Sequence, residues 1–119
     1  MRFAYNGKYF EYFEVATTEM MREVGLPYQV IEKSGFFMPV IETKIHFFAP
    51  AFYDELLVIE TRVEKLPTVK VHIDHIIKAK ERNVVICEGY VELAFLDAKT
   101  NRPTRAPKLF IDAVKKYYE

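Results

Sequence analysis

Tryptophan is absent from this chain, cysteine occurs once, and only four residues are glycine. A lone Cys87 cannot close an internal disulfide, so no disulfide framework supports the fold, and a reducing, cytoplasmic setting is expected. Charge of one sign is also lacking. Lys plus Arg and Asp plus Glu number 17 each. This balance argues against a nucleic-acid-binding surface, and no block of like charges marks a solvated tail. Apolar runs are too short and too interrupted to cross a bilayer as a helix. The opening residues, Met1 to Asn6, show neither the apolar stretch nor the small-residue cleavage site of a signal peptide. Repeats, linkers and low-complexity segments are missing too. A chain of 119 residues fits one domain, read here as 1–119, with a modest core.

What is present is aromatic and patterned: 10 Phe and 8 Tyr, with half of all residues hydrophobic. Asn6 and Gly7 precede a segment whose apolar residues recur at helical spacing: Tyr9, Phe10, Phe13, Ala16, Thr17, Met20, Met21 and Val24. Asn6 is a good N-cap and Gly25 a good C-cap. Pro27 opens a shorter helix that Ser34-Gly35 closes. The period then changes. Val40 to Phe48, Leu56 to Lys65, Val69 to Lys78 and Val84 to Leu96 read as strands. The third is the cleanest alternation, with Val71, Ile73, His75 and Ile77 on one side and Lys70, His72, Asp74 and Ile76 on the other. Pro107 can start a final helix. The order predicts an α+β domain, a long helix cradled by a curved antiparallel sheet.

Tyr5-Asn6-Gly7-Lys8-Tyr9-Phe10-Glu11-Tyr12-Phe13-Glu14-Val15-Ala16 resembles the signature of 4-hydroxybenzoyl-CoA thioesterase-like hotdog proteins. Asn6 stands at that family's His/Asn position and Tyr9 at its Tyr position. Phe13-Glu14 with Ala16 matches its helix motif. Pro50 to Leu56 resembles the family's loop between the first two strands after the helix, and Arg102 to Pro107 the end of its last strand. The resemblance implies a hotdog fold, an acyl-CoA thioesterase activity with coenzyme A as part of the substrate and no separate cofactor, and a homodimer or homotetramer with sites between subunits. It departs in one respect. The family's catalytic acid and the strand that carries it fall before Met1. The first strand is therefore expected to be missing, and activity to be impaired if the chain is complete. In-frame upstream codons for a strand ending in Asp would instead mean a start set too late.

The resemblance assigns candidate roles. N–H groups near Asn6 and Gly7 would hold the thioester oxygen, at a helix end that already carries free N–H groups and a positive dipole. Plain capping is the simpler reading of both. Glu14 is the candidate carboxylate, although it lies roughly 12 Å along the helix from Asn6, too far to reach the same carbonyl easily in its own subunit, and a structural role is its simpler reading. Tyr5, Tyr9, Phe10 and Phe13 could line an acyl pocket, or be ordinary core. Lys70, Arg102, Arg105 and Lys108 are candidates for the coenzyme A phosphates, or plain surface charge. His72 and Asp74 share a strand face but lack a third ligand, so no metal is expected. His75 reads as a hydrogen-bonded core histidine, and Cys87 as a structural strand residue. Two other classes stay open: a non-catalytic hotdog module that binds acyl-CoA or a protein, and a different α+β cone of the ketosteroid-isomerase kind.

Overall fold

The computed structural model describes residues 8–52 and 54–115. Helix α1 runs Lys8–Glu23 and α2 Tyr28–Lys33. Strands follow at β1 Phe36–Phe37, β2 Val40–Phe47, β3 Leu57–Arg62, β4 Lys70–Ala79, β5 Val84–Ala94 and β6 Leu96–Asp97, and α3 is Lys108–Lys115. The main sheet has the order β2-β5-β4-β3, antiparallel throughout. A small second sheet pairs β1 with β6.

The helix ends predicted at Gly25, Pro27 and Pro107 hold, whereas Asn6, the expected N-cap of α1, lies outside the described residues. Gly25 adopts φ +82° and receives the end of α1. Its N–H bonds Arg22 O at 3.0 Å, and the Leu26 N–H bonds Met21 O at 2.8 Å, the paired bonds of a left-handed C-cap. Pro27 caps α2 and Pro107 starts α3, whose Phe110 packs edge-on against Phe95 at 5.2 Å. The chain 84–96, expected as one strand, is split. β5 stops at Ala94, and residues 96–97 join β1, which sequence reading left unassigned. The cause sits opposite, at Pro39. It has no N–H to give the ladder, its carbonyl accepts from the Ala94 N–H at 3.0 Å, and the β2–β5 register shifts between Val40 and Glu42.

One sheet face receives α1. Val71, Ile73, His75, Ile77 and Ala79 of β4 are buried, as the alternation predicts. A register shift at Ile77/Lys78 lets consecutive Ile86 and Cys87 both turn inward. From α1, a single stripe of Tyr9, Phe13, Thr17 and Met21 enters the core. This is narrower than the wide face expected, since Phe10 is 52% exposed.

The helix crosses the sheet at Gly89. A Cβ there would stand 1.9 Å from the Lys44 carbonyl oxygen and 2.9 Å from a Phe13 ring carbon. Beside it, His75 is fully buried between Thr17 of α1, at 3.0 Å, and Thr61 of β3, at 2.9 Å. A neutral imidazole has one donor and one acceptor nitrogen, so one hydroxyl accepts from it and the other donates to it. Phe13 packs on its ring at 4.8 Å. Burial pushes the His75 pKa from 6.5 down to about 4, against a smaller opposing pull from Asp74.

Two outcomes are expected. Gly89→Ala should lower stability by about 3 kcal/mol or more, because β2 backbone must move, and chemical denaturation measures it. For His75 the unfolded chain takes up a proton that the folded chain refuses, so stability falls as pH drops from 6.5 through about 4. The loss is up to about 3 kcal/mol. His75→Gln should flatten this part of the stability–pH curve. An unchanged curve would show that His75 is not the group responsible.

Candidate active site

Beside its core stripe, α1 carries Phe10, Glu14, Thr17 and Thr18, which line one wall of a groove of about 490 Å³. The spacing i, i+4, i+7, i+8 places them on one helical face. Val40 and Thr43 of β2 and Val91 and Leu93 of β5 form the opposite wall, and Tyr28 and Met38 also line it. The lining is mainly apolar. Glu14 is its only carboxylate, is exposed, and joins no ion pair among the described residues. Burial raises the Tyr28 hydroxyl above its ordinary pKa. The Glu14 charge adds to the rise, and a hydrogen bond with Thr18 works against it.

Of the expected substrate-facing aromatics, Phe10 lines the groove, while Tyr9 and Phe13 are placed elsewhere. Tyr9 is 1% exposed and Phe13 fully buried. Neither lines the groove: both are core residues. Tyr9 stacks edge-on with Tyr12 at 5.4 Å and Phe47 at 5.2 Å. Its hydroxyl is pushed up to about 12, first by burial and then by the nearby Cys87, Tyr12 and Glu55. Tyr5, Asn6 and Gly7 lie outside the described residues.

Glu55 lies near that end of α1, in the loop resembling the family's. It accepts from Arg82 Nε at 2.5 Å, Arg82 Nη2 at 2.7 Å and the Phe52 N–H at 3.0 Å. Arg82 also donates to Pro50 O at 3.0 Å and lies 4.5 Å over the Phe52 ring. Arg82, then the Phe52 N–H, hold the Glu55 carboxyl down to about 2. The loop that follows β2 is thus clamped to the β4–β5 turn.

The structure does not bring Lys70 to the start of α1. Lys70 lies on the other face of the sheet, where Nζ sits 3.1 Å from Glu92 Oε1. It pairs with Ala94, whereas Phe47, which touches Tyr9, pairs with Cys87. Along β5 that separation is about 23 Å. The segment of Arg105 reaches the same end, since the Ala106 N–H donates to Thr68 O at 2.6 Å. Arg102 and Arg105 are both exposed. His72 and Asp74 do share a face. Glu92 joins them, with His72 Nδ1 at 2.8 Å from Glu92 and Nε2 at 3.1 Å from Asp74. Burial works against the imidazolium, but the two carboxylates outweigh it and raise the His72 pKa. This is a hydrogen-bonded charge network, and no cluster among the described residues is arranged to hold a metal. Cys87 is fully buried, and burial raises its thiol to about 11, so it is no ready nucleophile.

A long helix wrapped on one side by a curved antiparallel sheet, with a groove between that helix and an edge strand, is the hotdog arrangement. The model of the thioesterase-like superfamily matches residues 1–114, and the chain belongs to that superfamily. A putative acyl-CoA thioesterase of Bacillus subtilis is 31% identical over 64 residues, 54% of this chain and 46% of that protein. The chain spans about half the length of the curated relatives it matches. Among solved structures, the DHNA-CoA thioesterase of Staphylococcus aureus has a TM-score of 0.82 at 28% identity, covering 98% of this chain and 77% of that one. A hypothetical protein of Thermus thermophilus reaches 0.84 at 25% identity, covering 96% and 85%.

Proposed function

We propose that the protein hydrolyses acyl-CoA thioesters to a free acid and coenzyme A. The observation that carries this reading is the groove of a thioesterase-superfamily chain with apolar walls and one carboxylate, Glu14, that joins no ion pair among the described residues, on the first half of the central helix. The thioester carbonyl would sit by the first turn of α1, where backbone N–H groups lack helical partners and the dipole is positive. Asn6 and Gly7 are assigned to this oxyanion site. Glu14 lies roughly 12 Å by helical rise from Asn6, too far for one water to bridge within a chain, so the carboxylate serving a given oxyanion site is the Glu14 of the second copy in the homodimer described below. Glu14 takes a proton from the water, whose oxygen adds to the carbonyl carbon. The tetrahedral intermediate then collapses, the C–S bond breaks, and the coenzyme A thiolate leaves and is protonated. No cofactor is needed for this chemistry.

The reading includes a homodimer. β2 is a sheet edge and exposes Val40, Ile41 and Phe47, followed by exposed Phe48. A second copy against this edge would bury those residues and close the open side of the groove. Lys70, Arg102 and Arg105 would then serve the coenzyme A phosphates from the neighbouring protomer, since Lys70 is remote from α1's start within one chain. Pairing of such dimers into a tetramer is compatible with the same groove. The assigned setting is cytoplasmic. No helix among the described residues is long and apolar enough to span a membrane.

Purified protein should release thiol from acyl-CoA. Glu14→Gln should lower kcat by about a hundredfold or more. Its stability should change by no more than about 0.5 kcal/mol, because Glu14 is exposed. Full turnover in Glu14→Gln would remove Glu14 as the base. Absence of thiol release from short, long and aromatic acyl-CoAs would overturn the hydrolase reading.

A further inference from the structure

Resting on the hydrolase reading, we propose that the groove takes an unbranched aliphatic acyl chain, and that Tyr28 with Met38 forms the end wall that sets its length. The lining residues on α1 extend from Phe10 to Thr18, about 12 Å of helix by rise per residue. Their counterparts on the sheet, Val91 and Leu93, sit two residues apart on the buried face of β5. The space is therefore elongated along the helix. Phe10 and Glu14 mark the end near the first turn. Tyr28, the first residue of α2, and Met38, just before β2, stand toward the C-terminal part of α1.

The polar lining supports an acyl group without hydroxyls. The Thr17 hydroxyl is already bound to His75 at 3.0 Å. Thr18 is engaged with the Tyr28 hydroxyl. Glu14 is assigned to the chemistry. Among the described residues, Thr43 is the one lining hydroxyl left with no side-chain hydrogen bond, so a ring bearing two hydroxyls would leave one without a partner, and a buried hydroxyl without a partner costs binding energy. Met38 is 8% exposed and Tyr28 half-buried, so the wall they form is packed against the core.

The test uses alkyl-CoA thioethers, from butyl to hexadecyl, which bind without being hydrolysed. Calorimetry on the full chain should show affinity rising by about fourfold for each methylene buried, then levelling at a medium chain length. Tyr28→Ala should move the plateau to longer chains. Thr43→Phe, on the edge strand and less dependent on core packing, should move it to shorter ones. Affinity independent of chain length would overturn the proposal, as would a plateau that neither folded variant shifts. Because thioether binding needs no turnover, loss of the hydrolase reading alone would leave these results standing. Conversely, turnover together with length-independent binding would remove the gauge and keep the hydrolase.

Discussion

A neutral histidine held between two threonine hydroxyls ties this fold together. His75 sits in the middle of β4, Thr17 halfway along α1 and Thr61 near the end of β3. Hydrophobic burial presses α1 onto the sheet, but burial has no direction and would tolerate sliding. The bond between the buried ring and Thr17 specifies the height of the helix and its rotation, while the bond with Thr61, the residue directly opposite on β3, holds the ring in place. Leaving either ring nitrogen unpaired at that depth would cost free energy, so slipped arrangements are disfavoured. Gly89 works with this pin. It removes the side chain that would hold Phe13 away, and so lets the helix approach closely enough for Thr17 to reach His75.

The placement of the groove follows from that rotation. With Tyr9, Phe13, Thr17 and Met21 turned into the core, the adjoining face of α1, carrying Phe10, Glu14 and Thr18, must look toward β2. Because β2 is an edge strand, this side of the helix stays open. A carboxylate is affordable there, while the same residue one position earlier would be buried without a partner. The opposite face of the sheet carries paired charges around Glu92, His72 and Lys70. The two faces thus divide the work: one makes the core and the groove, the other stays polar.

Much of the architecture was legible in the sequence because it rests on local periodicity. The alternation from Val69 to Lys78 assigned both faces of β4, including the buried position of His75. Gly25 and Pro107 marked helix boundaries correctly. β1 carries no sequence signal because two residues, Phe36 and Phe37, have no period, and their partner strand reads as a continuation of β5. The site was less legible. Tyr9, Phe10 and Phe13 are chemically alike, and only the rotation set by the Thr17–His75 contact separates core from groove. Phe10, Glu14 and Thr18 do repeat at i, i+4, i+8, a signal that was available but competes with the stronger stripe beside it. Tyr28, Met38, Val40, Thr43, Val91 and Leu93 meet only through tertiary packing. Lys70 was grouped with the basic residues by charge alone, without the face and the height on the sheet that separate it from α1.

The pin itself can be watched directly. Nitrogen-15 chemical shifts of the His75 ring, followed by NMR from pH 8 to pH 4, report which nitrogen carries the proton and when a second one binds. One protonated and one bare nitrogen should persist without change to about pH 5, with uptake centred near 4. A ring that titrates at its ordinary 6.5, or that averages its two nitrogens, would mean that His75 is neither buried nor held by Thr17 and Thr61.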